Sequence, residues 1–109
     1  MAKVNFISHK NLHINQKISK EEIFGLTSQI RRSSISIPSN IAEGSGRESN
    51  KDFIRFLYIS LCSLFEMQTQ LEIAKNIEYL TEEEFNNLYE DSREIERMLV
   101  SLIKKLKDN

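Results

Sequence analysis

Hydrophobic positions recur with helical spacing over most of the chain. Ile23, Leu26, Ile30, Ile37 and Ile41 fall within about 60° of one another at 100° per residue. One narrow seam of this kind predicts a helix over residues 20–44. Ser33 and Ser34 lie beside the seam and are small enough to let another helix approach closely. Pro38 removes a backbone donor and crowds the carbonyl of Ser34, so a kink is expected there. The apolar phase survives from Ile37 to Ile41, which favours one kinked helix over two. Ser19-Lys-Glu-Glu22 fits a capping box at its start. Gly44-Ser-Gly46 is expected to end it, with glycine in the left-handed conformation.

A second helix is predicted over residues 50–77, with Ser49 as N-cap and Asp52 near its positive end. Phe53, Ile54, Phe56, Leu57, Leu61, Leu64, Phe65, Met67 and Leu71 occupy about half its circumference, with Ile59 outside that arc. A lone surface helix has a narrower stripe. This helix is therefore central in its own fold or shared with another subunit. A third helix is predicted over residues 82–107, opened by the capping box Thr81-Glu-Glu-Glu84. Phe85, Leu88, Ser92, Ile95, Leu99, Leu102 and Leu106 alternate by three and four, a heptad seam. The short link Glu78-Tyr79-Leu80 favours antiparallel return onto the second helix. Residues 1–18 show no helical stripe. Val4, Phe6, Leu12, Ile14 and Ile18 are mostly spaced by two, so this segment is read as an extended arm or the remnant of a further helix.

The 109 residues suit one domain, and the 3 Gly and 1 Pro are too few for the turns of an all-β fold. The expectation is a single all-α domain, an antiparallel up-down helical bundle. One cysteine, Cys62, excludes an intramolecular disulfide and is expected to pack as a small apolar residue. No apolar run approaches the roughly 18 residues of a membrane span, and no signal-peptide core is evident. A cytoplasmic setting without membrane contact is expected. The net charge is −1, unevenly spread. Residues 1–51 hold eight basic residues and four acids, a net +4, which leaves −5 for the remainder. The basic half suggests a polar partner or contact between oppositely charged halves.

Two polar stripes border the apolar seams. Gln29, Arg32, Ser36, Asn40, Glu43 and Arg47 form one on the first helix, and Asp52, Arg55, Ser63, Glu66 and Gln70 form the other on the second. Groups at a seam's edge are partly buried and need partners. A hydrogen-bonded network is expected between the two helices, with Asn40 and Glu43 against Ser63, Glu66 or Arg55.

The run Gln29-Ile-Arg-Arg-Ser-Ser-Ile-Ser-Ile-Pro-Ser-Asn-Ile-Ala-Glu-Gly44, with Arg47, Asp52-Phe-Ile-Arg-Phe-Leu-Tyr-Ile59 and Ser63-Leu-Phe-Glu66, closely resembles the four-helix bundle family of the 23S ribosomal RNA intervening-sequence proteins. The resemblance covers about residues 22–80, and the heptad helix that follows fits the family's last helix. The family is similar in build to the accessory proteins of diversity-generating retroelements, which assemble as pentamers and bind nucleic acid. The resemblance thus implies an oligomeric bundle, a ring-like homo-pentamer, with RNA or DNA as candidate partner. Arg31, Arg32, Arg47, Lys51 and Arg55, near one helix–turn–helix end, are the candidate phosphate contacts. The chain departs from the family in two ways. Its first helix is short or missing, and Cys62 and Ser60 stand where the family commonly has Gly and Ala.

The residues do not compose a catalytic site. The serines lack a base and orienting acid at any recognisable spacing. Gly44-Ser-Gly-Arg47 lacks the strand and lysine of a phosphate loop. His9 and His13 are two ligands at helical spacing in a segment with no helical pattern, which does not make a metal site. Glu43 and Glu66 could pair as carboxylates, yet Arg55 and Ser63 suit a structural network better. A non-enzymatic protein without cofactor, metal or small-molecule substrate is expected. The alternative to nucleic-acid association is a structural or protein-interaction module.

Overall fold

The computed structural model describes residues 20–108. The arm at 1–18, the N-cap Ser19 and the His9–His13 pair lie outside them. Among the described residues there are three helices and no strand: α1 (Lys20–Ser45), α2 (Asn50–Asn76) and α3 (Glu82–Lys107). α1 and α3 each pack antiparallel on α2, which is therefore central, in a body of 53 × 22 × 18 Å. No described helix is long and apolar enough to cross a membrane.

On α1 the seam faces the core: Ile23, Ile30 and Ile37 are buried, and Leu26 and Ile41 pack against them. Pro38 does not break the helix. An interior proline costs about 3 kcal/mol, and burying each large apolar side chain returns about 1.5–3 kcal/mol. Ile37 and Ile41 flank Pro38 on the same face, so the helix holds its phase through it. The glycine expectation needs correction. No described glycine has positive φ. Gly44 lies inside α1 and is buried against α2, where a Cβ would meet Phe56 Cβ at 2.6 Å. It is required for close approach and not for a left-handed turn.

The left-handed position lies instead at the end of α2, where Glu78 has φ 63°. The Tyr79 and Leu80 amides both donate to the Ala74 carbonyl, at 2.8 and 3.2 Å. This fold-back buries Tyr79 and Leu80 in the core. Ser49 caps the start of α2 by accepting from the Asp52 amide at 3.1 Å. α3 opens on a reciprocal capping box: Thr81 Oγ1 accepts from the Glu84 amide at 3.1 Å, and Glu84 Oε1 from the Thr81 amide at 2.9 Å. Phe85, Ser92, Leu99 and Ile103 are its buried residues, with Leu88, Ile95, Leu102 and Leu106 packed at the margin.

Two positions on α2 differ from expectation. Phe65 falls in the expected apolar arc but is 44% exposed. Cys62 is exposed and does not pack as a core residue. Tyr58, Ile59 and Ile73 are exposed as well. α2 thus carries an apolar strip on the face that neither neighbour covers.

Candidate nucleic-acid interface and the polar seam

The α1–α2 contact is lined by small and polar side chains. Ser36 and Ser63 share a hydrogen bond of 2.8 Å across the helices. Asn40 Nδ2 donates within its own helix to the Ser36 carbonyl at 2.9 Å and to Ser36 Oγ at 3.0 Å. It reaches α2 only through Ser36. Ser33 Oγ lies 2.9 Å from Glu66 Oε1 and 3.1 Å from Gln70 Oε1. Its single proton serves one of them at a time. Ser60 donates to the Ile37 carbonyl at 2.9 Å, and Thr27 shares a 3.1 Å bond with the Tyr79 hydroxyl. Burial pushes the Tyr79 phenol above its ordinary value of 10.0; the Thr27 bond and the Arg31 charge oppose this more weakly.

The hydrogen bonds between α1 and α2 join a different set of residues from the one expected. Ser36, Asn40, Ser63 and Glu66 belong to it. Glu43 does not: it accepts from Arg47 Nη2 at 2.8 Å, four residues along the exposed face. Arg55 pairs with Asp52 at 3.3 Å, and Gln29 is exposed outside the seam. Ser33, Ser60 and Thr27 were not placed in it from the sequence. Their hydroxyls lie within the apolar seam, and helical phase alone does not separate a serine that bonds a neighbour from one that merely fills space. A second polar contact joins α2 to α3, where Gln68 Nε2 donates to Ser92 Oγ at 3.2 Å and to Glu96 Oε1 at 3.0 Å. Each of these groups already holds a structural partner. Among the described residues no cluster of three His, Cys, Asp or Glu could hold a metal.

The five candidate basic contacts do not form one patch. Arg47 and Arg55 converge on one ring, their guanidinium carbons 4.8 and 4.6 Å from the Phe56 centroid. Lys51 is exposed between them in sequence. Arg31 and Arg32 lie about 15 residues up α1 from Arg47, roughly 22 Å at 1.5 Å per residue. Sequence reasoning also missed part of this end. The antiparallel return of α3 brings Lys107 against Tyr58, its ammonium donating to the hydroxyl at 2.6 Å. The ammonium is 5.1 Å from the ring centroid. Given the short distance to the oxygen, it sits beyond the hydroxyl and not over the ring face, so this is a hydrogen bond. Lys104 and Lys105 lie on the same last turn of α3.

Charge is thus segregated along the length of the molecule. Arg47, Lys51, Arg55, Lys104, Lys105 and Lys107 share one end with Glu43, Glu48, Asp52 and Asp108. The opposite end carries Glu21, Glu22, Glu72, Glu78, Glu82, Glu83 and Glu84 against Lys20 and Lys75. Dividing the sequence at its middle hides this, because α3 itself runs from acid to base.

The family described as 23S rRNA-intervening sequence protein matches over residues 4–101. A crystal structure of a protein with unknown function from the S23 ribosomal protein family of Bacteroides thetaiotaomicron is similar to this chain at 36% identity. The match covers 94% of this chain and 89% of that one, with a TM-score of 0.77. Neither description names an enzymatic activity. No curated protein matches the chain.

Proposed function

The chain belongs to the 23S rRNA-intervening sequence protein family, and from that membership we propose a non-enzymatic helical protein that assembles with copies of itself and contacts nucleic acid through its basic end. The observation that supports the nucleic-acid part is the gathering of Lys104, Lys105 and Lys107 in the last turn of α3, which Lys107 ties to Tyr58 of α2. Arg47 and Arg55 are already paired with Glu43 and Asp52, so Lys104 and Lys105, with Lys107 held on the Tyr58 hydroxyl, supply most of the attraction for phosphate. One protomer's surplus of positive charge at this end is small. A ring of copies in the same orientation, five by the family resemblance, adds these ends into one basic rim. Contacts of this kind position a phosphate backbone and carry no base sequence.

Anisotropy titrations of the full chain with structured RNA and with duplex DNA at low salt test the reading. Binding should weaken steeply as salt rises, since each neutralised phosphate releases counterions. Charge reversal of Lys104, Lys105 and Lys107 to Glu should abolish it with the helical spectrum unchanged. No binding, or binding indifferent to salt, overturns the proposal. The exposed strip on α2 then supports the second reading, a protein-interaction module with no nucleic-acid role.

A further inference from the structure

Tyr58 is an aromatic ring set among cations at the basic end, and it is 42% exposed. Lys51, Arg55 and Tyr58 fall within about 60° of one another on α2, so they share a face of that helix. From α3, Lys107 donates to the Tyr58 hydroxyl at 2.6 Å, and Lys104 lies about one turn before it. Positive charge from two helices thus brackets the ring. Phe56 nearby is different: it is buried, and its ring already lies against Arg47 and Arg55.

The Lys107 bond holds the Tyr58 ring without covering its face. The ammonium sits beyond the hydroxyl, at the ring's edge. A ring tethered at its tip has little freedom left to lose when a ligand lies against it. An exposed, tethered ring between cations suits a ligand with a flat aromatic face close to a negative charge. A nucleotide offers both, a base for the ring and a phosphate for the cations. A duplex does not, because its base faces are stacked on one another and only edges and backbone reach a protein. Unpaired bases are ordinary in the loops and ends of folded RNA. Asp52 holds Arg55 at 3.3 Å, but both side chains are exposed, and such a pair gives way to a phosphate at little cost.

We propose that Tyr58 stacks an unpaired RNA base, while Lys51, Arg55 and Lys104 hold the phosphates on either side of it. The proposal rests on the nucleic-acid contact put forward above and adds to it that the strand is unpaired at this point. Every base has an aromatic face, so the preference is for unpaired over paired RNA and not for a sequence.

The test measures fluorescence anisotropy of a short RNA strand that does not self-pair, and of the same strand annealed to its complement, on adding the full chain. Wild type is compared with Tyr58→Leu and Tyr58→Phe. The position is exposed, so both variants should keep the wild-type helical spectrum and light-scattering mass. Tyr58→Leu should weaken binding of the unpaired strand about 5- to 150-fold, the loss of one stacked base, and leave duplex affinity unchanged. It should also keep the wild-type salt slope, since stacking releases no counterions. Tyr58→Phe keeps the ring and should bind as wild type does. If wild type binds neither form, the nucleic-acid reading falls and this proposal with it. If wild type binds and Tyr58→Leu holds the unpaired strand equally well, the phosphate contacts stand and the stacking is overturned. Equal losses on strand and duplex overturn it too. So does a loss in Tyr58→Phe as large as that in Tyr58→Leu, which assigns the effect to the Lys107 bond. A changed mass in Tyr58→Leu places another protein chain on the ring and overturns it as well.

Discussion

Gly44→Ala should destabilise the protein, although the same change elsewhere in α1 should stabilise it. Inside a helix, alanine is ordinarily better than glycine by about 0.5–1 kcal/mol, because glycine loses more backbone entropy on folding. At Gly44 the added Cβ would lie 2.6 Å from Phe56 Cβ, 2.9 Å from Phe53 Cδ1 and 3.3 Å from the Phe53 carbonyl oxygen. Carbon atoms in contact prefer about 3.5–4.0 Å, so the overlap with Phe56 Cβ is about 1 Å. The Phe53 ring can rotate away. Phe56 Cβ moves only with the α2 backbone, and its ring is held between Arg47 and Arg55. Overpacking costs about 1–3 kcal/mol, and an overlap of this size on an atom fixed to the backbone belongs in the upper half of that range, about 2–3 kcal/mol. Subtracting a helix gain of about 1 kcal/mol leaves a net loss of about 1–2 kcal/mol. For a domain of this size that is about 5–10 °C in Tm. Gly25 is the internal control: it lies in the same helix, and its Cβ would meet nothing within 4 Å. Gly25→Ala should raise stability by about 0.5–1 kcal/mol. Thermal melts followed by far-ultraviolet circular dichroism, at equal protein concentration, compare the three proteins. A Gly44→Ala protein as stable as wild type would refute the close-approach argument, as would two alanine variants that shift together.

Two further changes test the end of α2. Glu78→Gly should raise stability by about 0.5–1 kcal/mol, because φ 63° strains a side-chain-bearing residue and suits glycine; an unchanged or lower melting temperature counts against that strain. Tyr79→Phe should cost about 0.5–1.5 kcal/mol near neutral pH through the lost bond to Thr27. It should also change the alkaline limb. The folded phenol titrates above 10.0, so its contribution is intact below the unfolded value and is lost as pH rises from there through the folded value. Urea melts across that range should fall more steeply for wild type than for Tyr79→Phe. Parallel curves would show that Tyr79 is not the group responsible.

The sequence announced the helices clearly because each carries a seam repeated over many turns. Ile23 through Ile41 and Phe85 through Leu106 keep one phase for the length of their helices, and a period averaged over so many positions tolerates an interruption such as Pro38. Isolated positions had no such averaging. Phe65 lies only about 40° from buried Leu61 on the α2 wheel, and which side of the boundary it occupies depends on where α3 lies; Cys62 lies about twice as far from any buried neighbour. The polar seam was legible as a stripe, yet its pairings were not, since a hydrogen bond depends on the relative height of two helices to within an ångström or two. Glu43 illustrates this: Arg47 on its own helix was within reach, and no partner on α2 had to be found. The basic end was the least legible feature. It joins the start of α2 to the end of α3, which are about 50 residues apart in the chain, as Tyr58 and Lys107 show.

The central place of α2 also sets an order of events for the emerging polypeptide. α1 and α2 are adjacent in sequence, and their contacts from Gly44–Phe53 outward can close as soon as α2 is made. At that moment Leu61 and Gln68 still lack α3, which is synthesised after α2. The newborn hairpin therefore presents two greasy flanks of α2 at once, one of which α3 will later cover. Until then the chain is at its most vulnerable to aggregation, and a chaperone that shelters it would have this short interval in which to act.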